Sequence, residues 1–171
     1  MGTKRIGLAR VEALIENLKR EIDLSTGTLR QQTLPAIVTN GDADLAVTKA
    51  LHCGKTILQA DVSANRTLTL PTPTAIGETY KIIGFGTGAA ADGHDVILDF
   101  ADDACYFEGA LVHSKTNGND TVAYADASQD DRLTINVPGY FEVTLVAKSL
   151  TVMYVTGIVS SATAPAFSNQ D

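Results

Sequence analysis

Tryptophan is absent from this chain, and five phenylalanines and five tyrosines are its only aromatic residues. A sugar-stacking platform built on indole rings is therefore excluded. There are two cysteines, Cys53 and Cys105, in no Cys-x-x-Cys or Cys/His pattern. Neither a zinc ribbon nor a disulfide framework is encoded, and two buried reduced thiols are expected. No apolar run approaches the roughly 18 residues that a membrane-spanning helix needs. The opening MGTKRIGLAR has no apolar stretch of the kind a secretory leader needs, and Ile6 stands where N-myristoylation would need Ser or Thr, so neither is expected.

Positive charge is also scarce. Thirteen Lys and Arg face twenty Asp and Glu, a net charge of −7. Residues 1–30 are mildly basic at +2, and residues 31–171 carry −9. Phosphate contacts require clustered Lys and Arg, so neither nucleic acid nor an anionic membrane is an expected partner of the acidic body. The basic opening segment suits an acidic protein surface.

The patterns that carry catalysis are missing as well. Gly84-Phe85-Gly86-Thr87-Gly88 follows a strand pattern, as a dinucleotide loop would. A phosphate cradle then needs a helix N-terminus, but the next strand pattern begins at Asp95 and leaves no room for one. Asp92, Asp95, Asp99, Asp102 and Asp103 are crowded without the spacing of a calcium loop. They read as solvated turn acids, as do Asn117, Asn119 and Asp120. His52, His94 and His113 show no metal-ligand spacing. His113 and Ser114 are strand neighbours and point to opposite faces. No Gly-x-Ser-x-Gly elbow is present, and Glu78, Glu108 and Glu142 are too dispersed for a paired-carboxylate hydrolase. No catalytic residue, cofactor-binding residue or metal ligand is assigned, and the chain is not expected to be an enzyme.

What is present divides by hydrophobic period. Leu8, Val11, Ile15, Leu18 and Ile22 recur at spacings of three and four, an a/d stripe on one face of a helix over about 5–23. Glu16 and Arg20 form an attractive i,i+4 pair on it, Glu12 and Glu16 a repulsive one. A lone helix of this length is marginal in water and must bury its stripe. The narrow stripe favours sister copies or another protein as the site of burial, with the body's own core as the alternative. Past Gly27 the period is two. Candidate strands cover 36–39, 56–60, 67–70, 79–85, 95–100, 111–113, 121–124, 132–137, 141–147 and 151–159, separated by Gly-, Pro- and Asn-rich turns. Twenty threonines suit half-exposed pleats. Residues 42–51 fit a helical turn or a strand equally well. With no helical crossover between strands, the pattern predicts a mainly β chain. Its body is expected to be an antiparallel β-sandwich or jelly roll, with one N-terminal α-helix. The expected divisions are 1–30 (helix and connector), 31–159 (β body) and 160–171 (a small, polar tail).

Two stretches carry a resemblance. TKRIGLARVEALIENLKREI, and GKTILQADVSANRTLTLPTPTAIGETYKIIGFG followed by DGHDVIL, resemble virion proteins of tailed bacteriophages. They are most like the small capsid decoration (cement) proteins of marine and cyanobacterial phages. The pattern GKTI…RTLTLP…G-x-x-Y-K is similar to a β-rich module reused across phage virions, fibres included. The resemblance covers about half the chain, the first 30 residues and 54–98, and transfers no catalytic residue. It implies a jelly-roll-like body, commonly trimeric, bound to the major capsid protein on the outside of a head made in a bacterial cytoplasm. A fibre or adhesion module binding a host surface glycan is the alternative. An enzyme fragment acting on polysaccharide ranks last, for want of a catalytic constellation. Leu8, Val11, Ile15, Leu18 and Ile22 are the expected oligomer or capsid interface.

Overall fold

The computed structural model describes residues 36–86, 93–100, 105–115 and 118–169. The chain divides into units Met1–Leu34 and Pro35–Asp171, and every described residue belongs to the second. The helix expected over 5–23, with Leu8, Val11, Ile15, Leu18 and Ile22, lies outside the described residues.

Among the described residues 57% are in strands and 3% in helix. The strands are β1 (Ile37–Asn40), β2 (Leu45–Ala46), β3 (Thr56–Gln59), β4 (Arg66–Leu70), β5 (Thr79–Phe85), β6 (Val96–Phe100), β7 (Tyr106–Lys115), β8 (Thr121–Asp126), β9 (Arg132–Ile135), β10 (Pro138–Ala147), β11 (Val152–Ser161) and β12 (Ala166–Ser168); one short helix, α1, spans Lys49–His52. They form a seven-stranded sheet, ordered β1-β3-β5-β10-β11-β7-β8, and a five-stranded sheet, ordered β12-β9-β6-β4-β2. The ambiguous segment 42–51 contains both β2 and the start of α1.

The sheets are mixed, which corrects the expected antiparallel ladder. β1, β3 and β5 run parallel in one sheet, β2, β4 and β6 run parallel in the other, and β7 runs parallel to β11. Parallel neighbours need a crossover, for which a helix is the usual provider. Here each crossover passes through a strand of the opposite sheet, so successive coils stack, and the four-residue α1, between β2 and β3, is the only helix in these crossovers among the described residues. Side-chain oxygens tie the coils together. Asp44, just before β2, accepts from the Thr67 amide of β4 at 2.9 Å. Asn65, just before β4, accepts from the Asp95 amide at 2.9 Å. Asp95, just before β6, accepts from the Val137 amide at 3.1 Å. Each Asx side chain thus satisfies an amide within or just beyond the end of the neighbouring strand of its sheet. A buried polar pair closes the first loop: Asn40 Nδ2 donates to Gln59 Oε1 at 2.6 Å, and Gln59 Nε2 donates to the Gly41 carbonyl at 2.9 Å.

Strand alternation directs one face of each sheet inward. Ile57, Tyr80, Ile82, Phe107, Leu111, Phe141, Val143, Leu145, Val155 and Val159 come from the larger sheet. Leu68, Leu70, Val96, Leu98, Phe100, Leu133 and Ile135 come from the smaller, and all belong to one buried cluster. Residues 160–171, expected as a tail, contribute the end of β11 and then β12, which pairs antiparallel with β9. Phe167 of β12 packs on the core, its ring 5.9 Å from that of Phe107.

Candidate functional site

The outer face of the seven-stranded sheet is where exposed apolar side chains concentrate. Register places Thr39, Leu58, Ile83, Glu142, Ile158, Val112 and Val122 side by side, one from each strand. At the strand spacing of a sheet this row runs about 29 Å. A neighbouring row adds Tyr124, and another adds the Phe85–Tyr140 ring pair at 5.3 Å. Val112, Val122, Tyr124, Ile158, Phe85 and Tyr154 are 40–73% exposed. An isolated surface leucine needs no explanation, but neighbouring exposed apolar side chains such as the Ile158–Val112–Val122 run make this face the candidate interaction surface.

The single charge in the row is neutralised locally. Glu142 accepts from Lys81 Nζ at 2.7 Å and from the Tyr140 hydroxyl at 3.0 Å. The Lys81 ammonium, then the Tyr140 hydroxyl, hold its carboxyl below the usual carboxylate range. Burial, then the bond to Glu142, raise the Tyr140 hydroxyl. A paired Glu within an apolar row costs a docking partner less than a free carboxylate would.

Several other titratable groups bind one another. Glu108 pairs with Lys148 at 2.6 Å, and Asp99 pairs with Arg132 at 3.0 Å. Asp42 binds Arg66 at 2.7 Å and accepts from the Ser63 hydroxyl, so its carboxyl lies well below the ordinary range. Asp95 and Asp99, read as turn acids, serve as a coil tie and an ion-pair partner; Asp92, Asp102 and Asp103 lie outside the described residues. Among the described residues no group of three His, Cys, Asp or Glu is placed to hold a metal. Cys53 and Cys105 form no disulfide; Cys105 is buried as expected, whereas Cys53 is only partly buried, which corrects the expectation of two buried thiols. His52, which adjoins Cys53 in sequence, is buried and accepts from the Thr48 amide at 2.9 Å.

Glu78 is the most heavily engaged carboxylate. It is buried, pairs with Lys49 at 2.7 Å, and accepts from the Thr74 hydroxyl at 2.6 Å and amide at 3.1 Å. Burial works against its ionisation, but Lys49 and Thr74 outweigh it and lower the carboxyl from 4.5 to about 2. A depressed carboxyl stabilises the fold above its unfolded value. That contribution is lost as pH falls from about 4.5 toward about 2. Glu78→Gln is expected to cost about 1–3 kcal/mol at neutral pH and to flatten the acid limb of a melting-temperature profile. An unchanged acid limb in the variant would show that the pair contributes nothing.

The glycines of the Gly84-Phe85-Gly86 run have packing roles. A Cβ on Gly84 would lie 2.0 Å from the Phe141 ring, and one on Gly86 would lie 2.1 Å from the Pro138 carbonyl oxygen. Close approach of β10 accounts for both, with no phosphate required.

His113 occupies a second distinct place. It is buried, with Nδ1 3.1 Å from Thr121 Oγ1 and Nε2 3.1 Å from the Ser161 carbonyl and 3.2 Å from Ser161 Oγ. Ser161 Oγ already donates to the Thr163 carbonyl at 2.6 Å. Its proton is therefore directed away from the ring, Nε2 carries hydrogen toward the Ser161 oxygens, and Nδ1 accepts from Thr121. This His–Ser contact is not arranged as base and nucleophile, since the base would have to accept the proton that Ser161 gives elsewhere. Above it opens a cleft of about 410 Å³, with Lys115, Asn119, Thr121 and residues 162–164 around it. The sequence shows His113, Lys115 and Asn119 separately; their convergence with residues 162–164, over 40 positions away, comes only from the parallel pairing of β7 and β11.

Comparison with protein-family models, curated proteins and solved structures finds no match for this chain.

Proposed function

We propose that this chain is a non-enzymatic structural protein of a phage virion, a decoration protein that binds the outside of the head and reinforces contacts between capsomers. The observation that supports this reading best is the apolar row across the larger sheet, joined by Tyr124 and the Phe85–Tyr140 pair. In this reading the body is a two-sheet sandwich whose outward apolar face meets the major capsid protein. The stripe Leu8, Val11, Ile15, Leu18 and Ile22 joins sister copies into a homotrimer. The sequence resemblance at 1–30 and 54–98 points to the same setting. The acidic body suits a protein shell better than the DNA inside it. Many copies over a shell turn a modest interface at each capsomer into substantial reinforcement.

Cosedimentation with heads of the phage that encodes the chain is the test. Wild-type protein is expected to bind saturably. Ile15→Glu with Leu18→Glu is expected to sediment as a monomer, because two charges cannot be buried unpaired in such a seam. Its binding to heads is then expected to weaken at least tenfold through lost multivalency. A wild-type chain that is monomeric and ignores heads would contradict the proposal.

A further inference from the structure

We propose that the cleft beside His113 binds an acidic saccharide, a hexuronate unit, with Lys115 meeting the carboxylate and the surrounding hydroxyls and amide meeting the sugar. The cleft lies where β7 ends, β8 begins and the chain leaves β11. Its volume of about 410 Å³ is within the range of small-ligand sites and admits a pyranose ring.

Part of its wall is tied internally. Ser161 Oγ donates to the Thr163 carbonyl at 2.6 Å, and Asn136 Nδ2 donates to the Ala164 carbonyl at 2.6 Å. His113 is held from both ring nitrogens and forms a rigid floor. The aliphatic stem of Lys115 lies against Gly118, where an added Cβ would come within 2.8 Å of its Cδ. That glycine lets the lysine lie close to the chain before β8. His113, Thr121 and the backbone at 163–164 are held in this way and lose little freedom on binding.

The lining selects the ligand. Lys49, Lys81 and Lys148 are each paired with a glutamate, whereas Lys115 has no carboxylate partner among the described residues. Asp120, though adjacent in sequence, is not among the residues that line the cleft. One cation matches one carboxylate; a phosphate dianion would be left undercompensated against a chain of net charge −7. The Asn119 amide and the Thr163 hydroxyl both donate and accept, as sugar hydroxyls require, while Thr121, whose proton goes to His113, is left to accept. Among the described residues no Phe, Tyr or Trp ring lines the cleft. Recognition therefore rests on charge and hydrogen bonds, and neutral sugars, which depend on stacking, are disfavoured.

The test is titration of the full-length, ¹⁵N-labelled chain with sodium glucuronate, glucose or acetate, followed by amide shifts. Glucuronate is expected to give saturable shifts at His113, Gly118, Thr121 and Thr163, with glucose and acetate each at least tenfold weaker. Lys115→Gln, an exposed change, is expected to weaken glucuronate at least tenfold. Lys55→Gln, at a surface lysine remote in sequence, is expected to leave its affinity unchanged. Absence of saturable shifts, equal affinity for glucose or acetate, or an unaltered affinity in Lys115→Gln would each overturn the proposal.

Discussion

Phe107→Ala is expected to destabilise the β body by about 3–5 kcal/mol. The ring is fully buried, with its centroid 4.8 Å from Phe100 of the smaller sheet and 5.9 Å from Phe167 of β12. Removing it opens a cavity where both sheets and the last strand meet, and rigid strands on either side leave little scope for collapse. For a unit of this size the loss corresponds to a melting temperature lower by about 10–20 °C. Phe85→Ala provides the contrast. That ring is 59% exposed, and its removal is expected to cost about 1 kcal/mol or less. Denaturant midpoints at constant slope would measure both. Equal midpoints would mean that the two sheets do not share the core described above.

The second large effect concerns binding. Val122→Glu with Ile158→Lys alters the two ends of the Ile158–Val112–Val122 run without touching the core. Both side chains are at least 40% exposed, and Ile158 stands opposite Glu142, which would face the new lysine favourably. The cost to the free fold is expected to stay within about 1 kcal/mol. Both new charges must be desolvated in an apolar contact, and the glutamate at 122 has no basic register partner, so binding to heads is expected to fall at least a hundredfold. Sedimentation should still show the proposed trimer, which separates this variant from Ile15→Glu with Leu18→Glu. Undiminished head binding would remove the larger sheet's face from the interface.

Much of the strand content was legible because alternation and turn residues agree with each other. The segment 79–85 reads as a strand and is β5. Others differ at their ends, as where the expected 111–113 becomes the ten-residue β7. Glu108 and Gly109 interrupt the apolar pattern there, yet Phe107 and Leu111 keep the inward phase. β12 escaped because a strand of three residues carries no period and offers only Phe167 to the core, and β2 stayed one of two open readings of 42–51 because two residues cannot decide between strand and helical turn. Parallel pairing escaped for a different reason: a crossover through the opposite sheet leaves no helical signature. Its sequence trace is Asp44, Asn65 and Asp95, each one residue before a strand, which becomes meaningful only once the coils are seen to stack.

The interaction face did leave a signal. A strand with one face in solvent should alternate, but β11 is apolar at both phases, with Met153, Val155 and Val159 inside and Tyr154 and Ile158 outside. β7 behaves alike, with Leu111 inside and Val112 outside. Such strands are either covered on both faces or carry an interface. Sequence does not reveal which phase faces inward, because that depends on the partner sheet. The cleft beside His113 has no local signature at all, since its walls come from segments joined only by long-range pairing.

Reconstruction of whole particles carrying this chain tests the central claim most directly. Density for the β body is expected on the outer surface of the head, repeated with the capsomer lattice, with the face bearing Val112, Val122 and Ile158 turned toward the shell. Density confined to the tail or its tip, over a bare head, would contradict a decoration role.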